Sequence, residues 1–261
     1  MKRFAAFALM LVIVISCCAC GKKDTSLADV SSKNAIVAGF ESAHMPFGYQ
    51  KENGAYAGFD LDLAQAVASK LGVTLNLHPM SAKTGVSLLK DRSVDFLCSN
   101  QEQSSAKARG VQESEPLFTN RVVVAVRTGS GYDTLRSLKG QNVAVVTGTL
   151  CEEAFSGKRE FSSDVNTVAV SHSDEALSAL KDGTVEAVVA DEMMVRSAIK
   201  DGESILMLEE TLLEQPYCLL FHRKDDALCE KVNEVLKELA QDGTLQELSI
   251  RWFGADVITM K

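Results

Sequence analysis

Two stretches carry groups placed to hold a ligand rather than to attack one. Gly148-Thr149 follows an apolar strand pattern at 142–146 and opens a helix, where unpaired backbone N–H groups suit an anion such as a carboxylate. Asp191 ends a second buried-strand pattern, 185–190, and precedes another helix, so its carboxylate can cap that helix. Nothing reads as a nucleophile: Gly-x-Ser-x-Gly, His-Glu-x-x-His and phosphate-loop spacings are absent from the sequence. His44, His78, His172 and His222 lie far apart, without metal-ligand spacing, and read as surface or satisfied residues. Cys98, Cys151, Cys218 and Cys229 also lack a metal pattern. They read as buried thiols, because Cys98 and Cys218 sit in apolar runs where a thiol acts as a small hydrophobe. Neither metal nor cofactor is expected. A formal charge of −8 argues against a nucleic-acid partner.

Alternating strand and helix patterns position these groups, as in an α/β fold. Strand 35–40 precedes a helix that Asp60 is expected to cap. Leu61, Ala64, Ala68 and Leu71 recur on one face, and Gly72 closes it before strand 73–77. This is the unit that puts a crevice at the carboxyl ends of strands. A helix over 84–90 and a strand over 94–98 follow, then a polar stretch, 99–113. The apolar run 122–126 predicts a buried strand, and Thr128-Gly129-Ser130-Gly131 breaks the pattern. The second section holds a short helix near 134–138, strands 142–146, 165–170 and 185–190, and a helix begun by a capping box of Ser171 with Asp174. Separate strands are expected at 205–208 and 217–221, then helices 226–239 and 245–252.

The first 20 residues read as a secretory signal: Lys2 and Arg3, an unbroken apolar run over 4–15, then Ser16-Cys17-Cys18-Ala19-Cys20. The run is short for a transmembrane helix, which needs about 20 apolar residues. A cysteine directly after it looks like a lipobox. Cys20 has a small residue before it and a polar tether after it; Cys17 is the alternative lipidation site, having the better residue three positions upstream. Export also permits a disulfide among the four later cysteines. A flexible tether over 21–33 would then join the membrane to the domain.

The segments Pro46-Phe47-Gly48-Tyr49, Gly58-Phe59-Asp60-Leu61-Asp62-Leu63, Ser114-Glu115-Pro116-Leu117-Phe118, Leu138-Lys139-Gly140-Gln141-Asn142-Val143 and Asp242-Gly243-Thr244-Leu245 stand in order along the chain. With Arg251-Trp252-Phe253-Gly254 they resemble the bacterial extracellular solute-binding proteins of family 3, over nearly the whole mature chain. The resemblance implies a two-lobed, Venus-flytrap periplasmic-binding-protein fold of type II. Lobe 1 would span 34–125 plus 222–261, and lobe 2 would span 128–217, joined by two hinge crossings. It also implies a monomeric, lipid-anchored (palmitate-bearing) lipoprotein that feeds an amino acid to an ABC-transporter permease. Residue by residue, it implies ligand contacts from Glu41, from His44 and Phe47, and from Tyr56. It implies backbone and hydroxyl donors after strand 94–98, around Ser99 and Asn100, with the expected hydroxyl positions held here by Glu102 and Ser104. Gly148, Thr149 and a carboxylate at Asp191 for the α-ammonium complete the set. The arginine expected to clamp the ligand's carboxylate falls on Lys107, with Arg109 two residues later. That departure favours an amine or other cationic solute, either an amino acid bound in a modified way or an amine lacking the carboxylate. Two other readings accompany the resemblance: a receptor reporting to a membrane sensor, and a dehydratase-like enzyme using Glu102 as its acid.

Overall fold

The computed structural model describes residues 24–81, 83–99 and 110–261. Its first part contains α1 (Ser26–Lys33), β1 (Ala35–Glu41), β2 (Ala43–His44), β3 (Gly48–Gln50), β4 (Tyr56–Ala57), α2 (Phe59–Leu71), β5 (Thr74–Met80), α3 (Gly85–Lys90), β6 (Phe96–Ser99) and β7 (Val111–Glu113). The second contains β8 (Phe118–Arg127), a 3-10 turn (Leu135–Leu138), β9 (Asn142–Val146), α4 (Leu150–Gly157), α5 (Arg159–Ser162), β10 (Asn166–Val170), α6 (Ser173–Asp182), β11 (Ala187–Asp191) and α7 (Glu192–Lys200). The chain ends with β12 (Ile205–His222), α8 (Asp226–Gln241) and α9 (Thr244–Phe253).

The strands are ordered β10-β9-β11-β8-β12-β6-β1-β5, with β7 also on β12. β12 makes the connection. From Ile205 to Tyr217 it runs antiparallel to β8; from Cys218 to Phe221 it pairs with β6. The two strands expected at 205–208 and 217–221 are thus one. The polar residues between them are absorbed by register shifts between Met207 and Thr211 and between Thr211 and Leu213, so charged side chains are accommodated without ending the strand.

Burial divides into clusters that follow the topology. Ile36, Phe59, Phe96, Phe118, Tyr217 and Phe253 belong to one core between the first sheet and helices α2, α8 and α9. On β8, Val122, Val124 and Val126 pack with Val145 and Val189 on one sheet face, while Val123 and Ala125 pack with Ala144 and Val188 on the other. A strand buried on both faces reads as an unbroken apolar run, as 122–126 does. The chain passes from the first core to the second between Phe118 and Val122.

Three local expectations are corrected. Asp60 does not cap α2. Gly58 occupies the cap position, and the N–H groups of Phe59 and Asp60 donate to the carbonyls of Pro46 and Phe47, each at 3.0 Å. Asp60 lies in the first turn with its carboxylate buried, accepting from the Tyr217 hydroxyl at 2.5 Å. Ser171 does not cap α6 either; its N–H donates to the Glu175 carboxylate at 3.0 Å, and the helix starts at Ser173. Residues 26–33, expected within a flexible spacer, are helical. Val30 is buried, the Asp24 carboxylate accepts from the Ala227 N–H at 2.6 Å, and the Ser26 hydroxyl accepts from the Leu228 N–H at 3.2 Å, so this segment satisfies the first turn of α8. Burial alone would raise the Asp24 carboxyl, but hydrogen bonds from the Ala227 N–H and from the Ser26 N–H and hydroxyl, with the Arg92 charge, hold it below its usual range.

Candidate functional site

A cavity of about 360 Å³ opens at the carboxyl ends of strands from both parts of the sheet, the place an open α/β sheet offers a ligand. Glu41, from the end of β1, and Ala43 and His44, from β2, line one side. Opposite them lie the β9–α4 turn with Gly148 and Thr149, the β10–α6 turn with His172, and Asp191 at the end of β11. Apolar wall comes from Val122, Val146, Leu150 and Met194.

His44 stands between two carboxylates. Its Nδ1 lies 3.7 Å from Glu41 Oε2, and its Nε2 lies 4.0 Å from Asp191 Oδ2 on the facing element. Beneath it, 4.9 Å between ring centres, is Phe47. Asp191 does two jobs: Oδ1 accepts from the Met193 N–H at 2.9 Å, capping α7, and Oδ2 accepts from the Asn120 amide at 2.5 Å. Burial pushes its carboxyl above the usual range; His44, Asn120 and the α7 N–H groups pull it back part of the way. Burial also raises Asp60, to about 7. The Tyr217 hydroxyl and His44 oppose that rise, while Glu41 and Asp191 add to it.

The site residues expected from sequence separate into three groups. Glu41, His44, Gly148, Thr149 and Asp191 are brought together around the cavity. Phe47 and Tyr56 do not line it. Phe47 is 1% exposed, because its ring stacks on Tyr217 at 5.6 Å inside the aromatic core. Tyr56 instead packs edge-on against Phe40 at 5.2 Å. Asn100, Glu102, Ser104, Lys107, Arg109 and the side chain of Ser99 lie outside the described residues. At the β9–α4 turn the anion-holding N–H of Gly148 already donates to the Glu152 carboxylate at 2.7 Å, and the Thr149 hydroxyl donates to the Val146 carbonyl at 2.7 Å.

Sequence reasoning missed Asn120, which is 1% exposed, and the cavity residues Lys83, Glu153, His172 and Cys151. The polar Thr119-Asn120-Arg121 ahead of a buried run was the available signal for Asn120. All four described cysteines are free; Cys151 is half-buried, and burial, reinforced by Asp191, pushes its thiol to about 12.

This fold and cavity define a two-lobed α/β binding protein. Residues 36–255 match the bacterial extracellular solute-binding proteins, family 3, and the chain belongs to that family. It is 26% identical over 257 residues to the arginine-binding extracellular protein ArtP of Bacillus subtilis, covering 97% of this chain and 98% of that protein. It is 27% identical to the L-cystine-binding protein TcyJ of Escherichia coli, covering 96% of each. Among solved structures, it resembles a substrate-binding protein of an ABC uptake transporter from Streptococcus pneumoniae with bound histidine. That pair shows 26% identity and a TM-score of 0.76, covering 90% of this chain and 98% of that one.

Proposed function

We propose that this protein is the extracytoplasmic, solute-receiving component of an ABC importer, closing two lobes on an amino acid or a related small amine-bearing solute. The observation that carries the reading is the carboxylate pair Glu41 and Asp191, which face one cavity from opposite sides with a histidine between them. An ammonium group there would be desolvated by the walls and paired with fixed charge. The ligands for which these relatives are named, arginine, cystine and histidine, all carry an α-ammonium. The lobes meet where β8 and β12 pass between cores, near 119–121 and 214–216, and the ladder between these strands supplies the hinge. Binding and release, not turnover, is the activity proposed. A lipid on Cys20, or on Cys17, anchors the protein to the outer face of the membrane; intact-mass analysis of the N-terminal peptide decides between them.

The test is calorimetric titration of the mature protein with L-arginine, L-histidine, L-glutamine and L-cystine, and with amines that lack a carboxylate. Asp191→Ala, which removes a buried charged partner, is expected to weaken binding by about 100-fold or more. Unchanged affinity would remove Asp191 from the site, and failure of the whole panel to bind would overturn the ligand class.

A further inference from the structure

Two consecutive residues of the first crossing between the cores hold two consecutive residues at the β11–α7 junction. Asn120 Nδ2 donates to Asp191 Oδ2 at 2.5 Å. Beside it, Arg121 forks onto Glu192, with Nε donating to Oε2 at 2.5 Å and Nη2 to Oε1 at 2.9 Å. The backbone reinforces both contacts, because Asp191 lies opposite Val122 in the β11–β8 ladder. Asn120 is 1% exposed and sits opposite Gln215, where β8 and β12 pass between the cores. Its amide has a fixed sense: Oδ1 accepts from the Arg121 N–H at 2.9 Å, so Nδ2, the end that donates, is turned to the carboxylate.

We propose that Asn120 is a positioning residue for ligand binding, which aims the Asp191 carboxylate into the cavity and ties it to the strands on which the lobes turn. The Met193 N–H holds Oδ1 from α7, and Asn120 holds Oδ2 from β8. A solute's ammonium then meets a carboxylate whose orientation is already set, so less side-chain ordering is left to the binding step. A bonded carboxylate also resists the protonation that burial favours, and the Asn120 amide is one of the groups that pull Asp191 back toward its usual range. Among the described residues, His44 on β2 with Glu41 behind it, Asp60 on α2, Cys151 on α4 and Glu192, paired with Arg121, also bear on this carboxylate or stand next to it. All of them remain when Asn120 alone is changed. The inference rests on Asp191 as the ammonium partner and deepens that reading.

The test compares the wild type with Asn120→Ala and with Asn120→Ser, whose hydroxyl is set back by one bond from the amide; the second keeps the comparison readable if the first does not fold. Carbon-detected NMR of the unliganded mature protein, labelled at aspartate Cγ, follows the Asp191 titration, with Asp191→Asn supplying the assignment. In both variants the Asp191 midpoint should move upward. Calorimetry with L-arginine, L-glutamine and L-cystine, whose ammonium charge is essentially constant from pH 5 to 7, should show affinity lowered about tenfold or more at pH 5, the loss expected for one charge-assisted contact, and a smaller loss as pH rises. A residue that served only to hold the fold together would leave the Asp191 midpoint in place and weaken binding equally at each pH. That result overturns the assignment, as does unchanged affinity of the variants beside a wild type that binds, and both leave the amino-acid reading intact. Failure of the wild type to bind any of the three, or L-histidine, would instead overturn the amino-acid reading and the binding role of Asn120 with it.

Discussion

Asp60 is a carboxylate in a place where few are found: 3% exposed, in the first turn of α2, with the Tyr217 hydroxyl as its partner. Burial penalises the charged form, so the folded protein holds this proton up to about pH 7, whereas an unfolded aspartate releases it near 3.8. The sign of the linkage follows. Below pH ~4 both states are protonated and the full stabilisation is present. As pH rises toward 7 the unfolded state has already ionised, and native stability falls by up to about 4 kcal/mol, at roughly 1.4 kcal/mol per pH unit. Asp60→Asn keeps an oxygen for Tyr217 and removes the titration. Urea unfolding at intervals from pH 4 to 8 should show wild-type stability declining relative to Asp60→Asn through this window. Parallel profiles would mean that Asp60 is ionised in the native state. The same group links to the cavity, because Glu41, His44 and Asp191 all bear on its charge.

At the scale of elements, the entry to α2 depends on one glycine. Gly58 has φ +145°, and a Cβ there would lie 1.9 Å from the Phe47 carbonyl oxygen, with backbone that cannot swing aside without losing the bonds that start the helix. Gly58→Ala should cost about 3 kcal/mol or more, as a strained backbone combined with a clash does. Gly54→Ala is the control: φ is +82°, but no atom lies within 4 Å, so only the conformational cost of about 1 kcal/mol is expected. Similar losses for the two in denaturant midpoint would refute the steric argument. These elements also mark how far the sequence could be read. Periodicity identified β1, β8, β9, α6 and α8, because their apolar faces repeat at the spacing their geometry requires. Asp60 reads as a cap because an aspartate before an apolar helical run has that signature, and the buried tyrosine that claims it lies 157 residues away. α1 reads as tether because its eight residues are mostly polar; only Val30 and Leu27 reach the core. Glu41 and Asp191 were legible as strand-end residues through the family resemblance. Lys83 and Cys151 were not, since nothing local distinguishes them until tertiary structure places them around one cavity.

For the whole molecule, what matters is that the two carboxylates belong to different halves. Glu41 ends a strand of the first sheet region, while Asp191 ends a strand that packs with the second core, and the β8–β12 ladder joins the two. A solute that contacts both interacts with a closed arrangement more strongly than with an open one, and that difference is the only quantity that can shift the equilibrium. Two measurements should therefore move together. At a concentration about 100 times its Kd, a ligand of the native state adds roughly 2.7 kcal/mol, which for a chain of this size raises the Tm by about 5–10 °C. In the same titration, the radius of gyration from solution scattering should fall. Asp191→Ala should abolish both responses, because it removes the contact from one half only and leaves Glu41 unable to favour closure alone. A ligand that raises the Tm while the scattering profile stays constant would separate binding from closure. It would place the whole recognition energy within one lobe, against the arrangement of charges across the cavity.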